Sequence, residues 1–575
     1  MAILRARIQN LFQRRGFTST AIGLQQQKLT LPRLPIFEAL ASHPKDDTAV
    51  VHSASGRSFS YGNLFADTAL YKEQLLKLTG SEKQQNLEEK RVAMLVENGY
   101  DYVVSMLGIF ASGGIAVPLC TSHPTNEMRY VVTNSTPSLL VTSTKFRKQS
   151  EAIFNPPSSS STDYVCSIDC PPKRLPREGT DVPPVELTDN AELVDRGALI
   201  IYTSGTTNLP KGVVSTHKAL TAQSSSIIQE WMMHKDHLLH VLPLHHIHGV
   251  VNGTLAPLFS GGTIEYMFPF NARGVWERFA AGVSEDAKVK KPEVSLFMAV
   301  PTVYNRLLSA FSGLSEDTKE KGREAVGRLR LAISGSAALP GSIKDQWQAL
   351  AGTELGGGTI LERYGMTEIG MALSQKLALD CRMSNSVGWP LPGVEARLVD
   401  VESGSIIQDP EKEGEIQIRG DTVFREYWGK PEATAKEFVE DEAGRKWFKT
   451  GDVAIRDSRG AYFIRGRASV DIIKSGGEKI SALEVERELL ELPQVKEAAV
   501  VALSDAIWGQ KVAAVVVLTP EGKEEKFGRK EMRESLKRNL ARYKVPSIMK
   551  VVDEIRRNQM GKINKKILVK EIFGE

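Results

Sequence analysis

Tyr202-Thr-Ser-Gly-Thr-Thr-Asn-Leu-Pro-Lys-Gly212 follows directly on the apolar run Ala198-Leu-Ile-Ile201, so a buried strand is predicted to deliver the chain into a loop of small and hydroxyl-bearing residues. Such a loop is suited to phosphate. Thr203 stands at the end of the strand, and Ser204, Thr206 and Thr207 offer hydroxyl donors. Gly205 and Gly212 let backbone N–H groups approach closely, and Lys211 brings a point charge to a phosphate oxygen. The Gly-x-x-x-x-Gly-Lys-Ser/Thr spacing of a Walker A loop is absent, so phosphate is not expected to be held as in P-loop ATPases.

The chain around this loop has 575 residues, 41% of them hydrophobic, enough for several cores and more than one domain. Its 73 Lys+Arg against 69 Asp+Glu give +4, but Arg5, Arg7, Arg14, Arg15, Lys28 and Arg33 all precede the first acidic residue, Glu38. Without them the balance is −2, which gives no electrostatic reason to expect a nucleic-acid partner. In Met1 to Thr20, Ile3, Leu4, Ile8, Leu11 and Phe12 fall near helical spacing with arginines between them and no acid. That is the pattern of a mitochondrial transit peptide, approximately residues 1–20, and it predicts a location in the mitochondrial matrix. Four cysteines, Cys120, Cys166, Cys170 and Cys381, indicate neither a disulfide framework nor a zinc site. The longest uncharged run, Tyr102 to Asn126, is broken by Gly113-Gly114 and Pro118, so no transmembrane segment is expected. A monomer is the favoured oligomeric state.

Helical and strand patterns alternate from Ile36 onward, with strands at Arg91 to Glu97 and Ile115 to Leu119 around a helix from Tyr100 to Phe110. This predicts an α/β fold with doubly wound, mostly parallel sheets. Residues 155 to 186, rich in Pro and Ser, read as a long irregular connection. Beyond Arg467 the composition changes to a compact α+β module containing Gly476-Gly477. The expected division is therefore 35–467 and 468–575, with a joint near Ser469.

Further stretches carry chemistry. In Val241-Leu-Pro-Leu-His-His-Ile-His-Gly249, three histidines invite a metal reading, but no acidic or thiol ligand lies near them in the sequence. Leu296 to Leu308 is a strand running into a helix that carries Arg306, read either as a surface residue or as an acid-binding one. Arg330 to Leu339 is a strand ending in Ser334-Gly335-Ser336, where little bulk lets a flat base lie on backbone. Leu361-Glu-Arg-Tyr-Gly-Met-Thr-Glu368 adds an aromatic face and a carboxylate, the hard oxygen ligand that magnesium prefers. Phe448-Lys-Thr-Gly-Asp452, Tyr462-Phe-Ile-Arg-Gly-Arg467 and Arg556 to Lys566 complete the series. Lys565 and Lys566 read as solubilising surface charges.

In this order, these stretches resemble the adenylate-forming superfamily of acyl-CoA synthetases, luciferases and peptide-synthetase adenylation domains, over nearly the whole chain after the leader. The resemblance implies a large AMP-binding domain, 35–467, and a small mobile C-terminal lid, 468–575. It implies that Tyr364 stacks on adenine beside Gly335 and Ser336, that Thr367 bonds the α-phosphate, and that Asp452 and Arg467 hold the nucleotide. Glu368, with Thr206, would hold Mg²⁺. Lys211 and Lys562 would act on the phosphates, Lys562 entering only for adenylation, after which the lid turns and Gly476 and Gly477 line the coenzyme A site. Asn208, Ser469 and Arg556 depart from the residues usual at their positions.

Within the superfamily the motifs look most like mitochondrial malonyl-CoA synthetases. That implies ATP-dependent ligation of malonate or methylmalonate to coenzyme A through an acyl-AMP, with His246 on the acyl wall and Arg306 facing the far carboxylate. A ligase for medium-chain or aromatic monocarboxylates shares every motif and differs only in that pocket. A non-catalytic nucleotide-binding protein is the alternative of another class.

Overall fold

The computed structural model describes residues 29–154, 167–177, 182–203, 209–352, 358–557 and 563–575. Two large mixed sheets dominate. The first has seven strands in the order Glu426–Tyr427, Lys211–Thr216, Gly197–Thr203, Ile115–Pro118, Arg91–Leu95, Leu139–Thr142 and Ser167–Asp169. From Gly197–Thr203 outward to Ser167–Asp169 every neighbouring pair is parallel. The second sheet has nine strands, of which Leu361–Met366, Leu331–Ser334, Leu296–Ala299, His237–His240, Thr263–Tyr266 and Thr48–His52 run parallel side by side. Helices connect the parallel strands, as the alternation predicted. Helix Tyr100–Ala111 is apolar on all sides and buried everywhere except at Asp101, the signature of a helix enclosed within a core rather than lying on a surface. It shares one core with residues of both sheets, among them Met94, Leu199, Leu238 and Ile333.

Two expectations need correction. Residues 155 to 186 are not irregular throughout: Ser167–Asp169 is the edge strand of the first sheet, and Val185–Thr188 begins in this segment and pairs in parallel with Leu29–Pro32. The doubly wound description also omits a third sheet. It has six strands, Ile406–Ile407, Glu395–Val399, Gly414–Arg419, Lys446–Arg456, Phe438–Glu440 and Tyr462–Arg467, and every pairing in it is antiparallel. Short connections such as Asp457 to Ala461 leave no room for the crossover that parallel pairing needs.

After Arg467 the chain forms a smaller α+β region around a five-stranded sheet. Its long hairpin, Val495–Asp505 with Gly509–Leu518, alternates its side chains between two faces. Val500, Val512, Ala514 and Val516 pack against Val485 and Leu489 of helix Ala482–Leu490 and Met532 of helix Arg529–Leu536. Val501, Leu503, Ala513 and Val515 pack instead against Leu568 of helix Lys565–Phe573. Among the described residues, no helix is long and apolar enough to cross a membrane.

Candidate nucleotide and acyl site

Topology brings together motifs that lie far apart in the chain. Strands His237–His240, Leu296–Ala299, Leu331–Ser334 and Leu361–Met366 are successive neighbours in the second sheet. Their carboxyl ends lead into the histidine stretch, the helix bearing Arg306, Gly335-Ser336 and Thr367-Glu368 respectively. The carboxyl edge of a parallel sheet is where α/β folds hold ligands, because the loops there are free to vary while the strands stay fixed.

Glu368 sits in the turn between antiparallel strands Leu361–Met366 and Gly370–Ser374. Gly370 has φ +62°, and a side chain there would meet Gln223 at 2.4 Å, so this turn requires glycine. The first sheet reaches Glu368 through its edge. Trp428 N donates to Gly212 O, Arg425 N to Val214 O, and Phe424 N to Glu368 O at 2.7 Å. The Tyr427 hydroxyl then donates to Glu368 Oε1 at 2.9 Å. Lys211 lies 4.3 Å from the centre of the Tyr427 ring and 3.6 Å from Glu437 Oε1. Strand register sets Lys211 opposite Thr203, whose hydroxyl faces the Lys211 carbonyl at 3.5 Å. Burial pushes the Glu368 carboxyl above its usual range, and the Tyr427 bond, Arg467 and Lys211 offset only part of that.

The third sheet supplies the other side. Asp452 and Arg467 are register partners on adjacent strands. Asp452 Oδ2 accepts from the Tyr364 hydroxyl at 2.6 Å, and Asp452 Oδ1 from Arg467 Nε at 3.1 Å. Burial opposes the Arg467 charge, but Asp452, Tyr364 and Glu368 outweigh it and hold the guanidinium above its ordinary value. Tyr364, Glu368, Asp452, Arg467 and Lys211 thus form a connected set drawn from all three sheets.

At the histidine stretch, the chain after His246 enters a π-helical segment, His248–Leu255. It packs so closely that a side chain at Gly249 would meet Pro243 O at 2.2 Å. Both ring nitrogens of His248, both side-chain polar atoms of Asn252, Ser334 Oγ and Arg363 Nε are buried without a hydrogen-bond partner. Arg363 is only 3% exposed, and burial pushes it down to about 9. Its guanidinium lies against Gly335, where a side chain would meet it at 2.5 Å, and donates to Ser336 Oγ at 3.4 Å. Ser336 itself has φ +69°. Burial keeps His248 neutral, and the nearby Arg363 charge adds to that. A buried cation with an unpaired N–H, near a buried histidine and beside an unpaired serine hydroxyl, favours an anion over a neutral group.

Arg306 is exposed on helix Pro301–Phe311, its guanidinium 4.7 Å from the centre of the Phe270 ring. Gly476 and Gly477 form the two-residue turn between Ile472–Ser475 and Glu478–Ser481, with φ +60° and +88°. Two successive positive φ values are what such a turn requires. Ser204, Gly205, Thr206, Thr207, Asn208 and Lys562 lie outside the described residues. Lys565 is corrected from a surface charge to a buried one: its Nζ lies 2.6 Å from Asp471 Oδ1 and 2.7 Å from Glu486 Oε1. Sequence reasoning also missed Tyr427, Glu437 and Arg363. Only Arg363 carried a signal, a charged residue within a strand whose neighbours are buried.

Comparison with known proteins identifies the family. The family model for AMP-binding enzymes matches residues 36–428, and that for the AMP-binding enzyme C-terminal domain matches 484–562. A CoA ligase of Gibberella moniliformis is 44% identical over 591 aligned residues, covering 95% of this chain and 96% of that protein. The mitochondrial malonate–CoA ligase ACSF3 of Mus musculus is 41% identical over 541 residues, 89% of this chain and 87% of that protein. ATP-bound MatB from Rhodopseudomonas palustris superposes with a TM-score of 0.77 at 29% identity, covering 94% of this chain and 99% of the other. With a family model matching well over half its length and relatives of this identity aligned nearly end to end, the chain belongs to the AMP-binding, adenylate-forming enzymes, alongside their CoA ligases.

Proposed function

We propose that the protein is an AMP-forming acid–thiol ligase that joins malonate, and also methylmalonate, to coenzyme A. The observation that carries the dicarboxylate reading is Arg363, a buried cation with an unpaired donor among the unpartnered polar atoms of His248, Asn252 and Ser334. A monocarboxylate bound there would leave that charge without a counter-ion, whereas the second carboxylate of malonate supplies one. Arg306 is the sequence's own candidate for that carboxylate. Burial favours Arg363.

In the first half-reaction a malonate carboxylate oxygen attacks the α-phosphate of ATP, giving malonyl-AMP and pyrophosphate. In the second the coenzyme A thiol attacks the mixed anhydride, and AMP leaves with the electron pair of the broken acyl–oxygen bond. Both steps build charge on oxygens, for which donors fixed in advance are worth most in a buried site. Lys211 and Thr367 fit that task, with Lys562 joining for adenylation. Asp452 would accept the ribose hydroxyls, a reading supported by Tyr364 and Arg467, which fix its carboxylate.

The Glu368 carboxylate suits Mg²⁺. It is a buried carboxylate oxygen, and the Tyr427 hydroxyl, Arg467 and Lys211 offset only part of the burial that opposes its charge. Glu368 and Thr206 would hold the ion, which when bound supplies charge neutralisation to the ATP phosphates.

The proposal extends to two working domains, 35–467 and 468–575, that turn about Ser469 between the half-reactions and exchange Lys562 for the Gly476-Gly477 turn. It also places the protein in the mitochondrial matrix, supported by the Arg-bearing leader and the mitochondrial relatives. The deciding experiment is pyrophosphate release from purified protein with coenzyme A across short mono- and dicarboxylates. Malonate and methylmalonate should head the series. A preference for a monocarboxylate would overturn the substrate assignment, and no pyrophosphate with any acid would overturn the ligase itself.

A further inference from the structure

Read in sequence, the histidines of 245–248 have no thiol or acid near them. The fold supplies both. Cys120 and His123, in the turn after strand Ile115–Pro118, come up against His245, and one ligand atom from each of the three residues lies within 4.8 Å of the others. Cys120 is buried, at 5% exposure. His245 Nε2 is buried without a hydrogen-bond partner. The rings of His123 and His245 are 5.8 Å apart, centre to centre. Glu127, on helix Thr125–Ser135, sets a carboxylate oxygen 3.2 Å from His123 Nδ1. That is the carboxylate–histidine contact that orients a metal-binding ring.

We infer that Cys120, His123 and His245 form a binding site for a divalent transition metal of the zinc class, with Glu127 orienting His123. One thiolate and two imidazoles are a borderline-soft donor set that suits Zn²⁺ and disfavours Mg²⁺, so the site does not compete with Glu368 for the catalytic ion. With bonds of roughly 2.0–2.3 Å, a tetrahedral ion would draw the three donors somewhat closer than they stand, a movement open to the half-exposed His123 side chain. The ion is bound as the thiol gives up its proton to solvent, and one coordination position stays open. The site has a consequence for turnover. The His245 and His246 rings are 4.1 Å apart, centre to centre, so fixing His245 restrains the wall assigned to the acid. Bound zinc is therefore an inhibitor that raises the KM for the acid and leaves the KM for ATP unchanged. That consequence rests on the acyl-wall reading of His246, whereas the binding does not.

The test begins without any substrate. The full-length protein, freed of metal, is titrated with Co²⁺ while the near-ultraviolet thiolate-to-cobalt charge-transfer band is followed. One Co²⁺ per chain, displaced by Zn²⁺, is expected. Cys120→Ser should abolish the band, His123→Asn should weaken binding at least tenfold, and Glu127→Gln should weaken it about tenfold. Thermal melts of the three variants confirm that they fold. The absence of a band that depends on Cys120, or binding that ignores both Cys120 and His123, overturns the site. Failure of the malonate reading alone would leave these titrations as expected. In the turnover arm, Zn²⁺ should raise the acid KM of the wild type and not of Cys120→Ser. Inhibition that persists in Cys120→Ser refutes the coupling to the acid.

Discussion

The Lys565 ammonium stands 2.6 Å from Asp471 Oδ1, while Asp471 Oδ2 accepts the backbone N–H of Arg467 at 3.0 Å. One carboxylate thus ties the terminal helix to the end of the strand that carries Arg467, the arginine proposed to hold the nucleotide. Glu486 shares the ammonium, and its other role is to accept from Val500 N. Burial opposes the Lys565 charge, but Glu486 and Asp471 outweigh it and raise the group above its ordinary range.

Lys565→Met would leave Asp471 and Glu486 facing each other without their cation. A broken buried pair costs about 3 kcal/mol, so the denaturant midpoint should fall clearly. Lys562 lies three residues before Lys565. Adenylation should therefore slow more than thioester formation from supplied acyl-AMP. Wild-type stability with both half-reactions unchanged would show that the pair positions nothing.

Glu368→Gln should separate stability from catalysis. Burial raises this carboxyl above 4.5, so the folded protein holds its proton more tightly than the unfolded chain does. The resulting stability is present at pH below 4.5 and is lost as pH rises through the raised value. The variant should thus melt higher than the wild type at neutral pH, with the gain vanishing in acid. ATP–pyrophosphate exchange should fall about a hundredfold or more. A variant that melts lower at neutral pH would mean that the charge is satisfied in the fold.

His217 and His240 set an opposite slope. Burial pushes each from 6.5 down to about 4, and His217 packs edge-on against Phe110 with ring centres 5.3 Å apart. Between these values the unfolded chain binds more protons, so stability is complete above 6.5 and lost as pH falls. A shift of this size corresponds to about 3 kcal/mol per histidine. Melting temperature should drop steeply across that window in the wild type and less steeply in His217→Phe. Equal slopes would remove His217 from the account.

Much of this site was legible in the chain because its chemistry is written locally. Ala198 to Ile201 reads as a buried strand from its apolar run alone, and the structure places it within strand Gly197–Thr203. What could not be read depends on register. Tyr364 meets Asp452, and Asp452 meets Arg467, because a second and a third sheet abut, and the antiparallel pairings of the third sheet leave no period that distinguishes them from the parallel strands before it. Lys565 looked like a tail charge because its partners, Asp471 and Glu486, lie 94 and 79 residues earlier. For the same reason the histidine stretch lacked a thiol on paper: Cys120 comes from the other large sheet.

Two arginines compete for the far carboxylate, and burial gives them different expected behaviour. Arg363 is enclosed beside Gly335 and Ser336, whereas Arg306 is exposed and stacked on Phe270. Losing the partner of a buried carboxylate costs about 3–5 kcal/mol, roughly two to three and a half decades in kcat/KM. Arg363→Met should lose malonate activity by about that factor while propionate or butyrate turnover holds or rises, because the unpaired cation is gone. Arg363→Lys should recover part of the malonate activity, as charge without a planar fork allows. Arg306→Ala should then change malonate kcat/KM only a few-fold. If Arg306→Ala causes the selective loss and Arg363→Met does not, the anchor is Arg306, and helix Pro301–Phe311 must carry it inward on binding. Equal losses for every acid in both variants would mean that neither residue reads the second carboxylate.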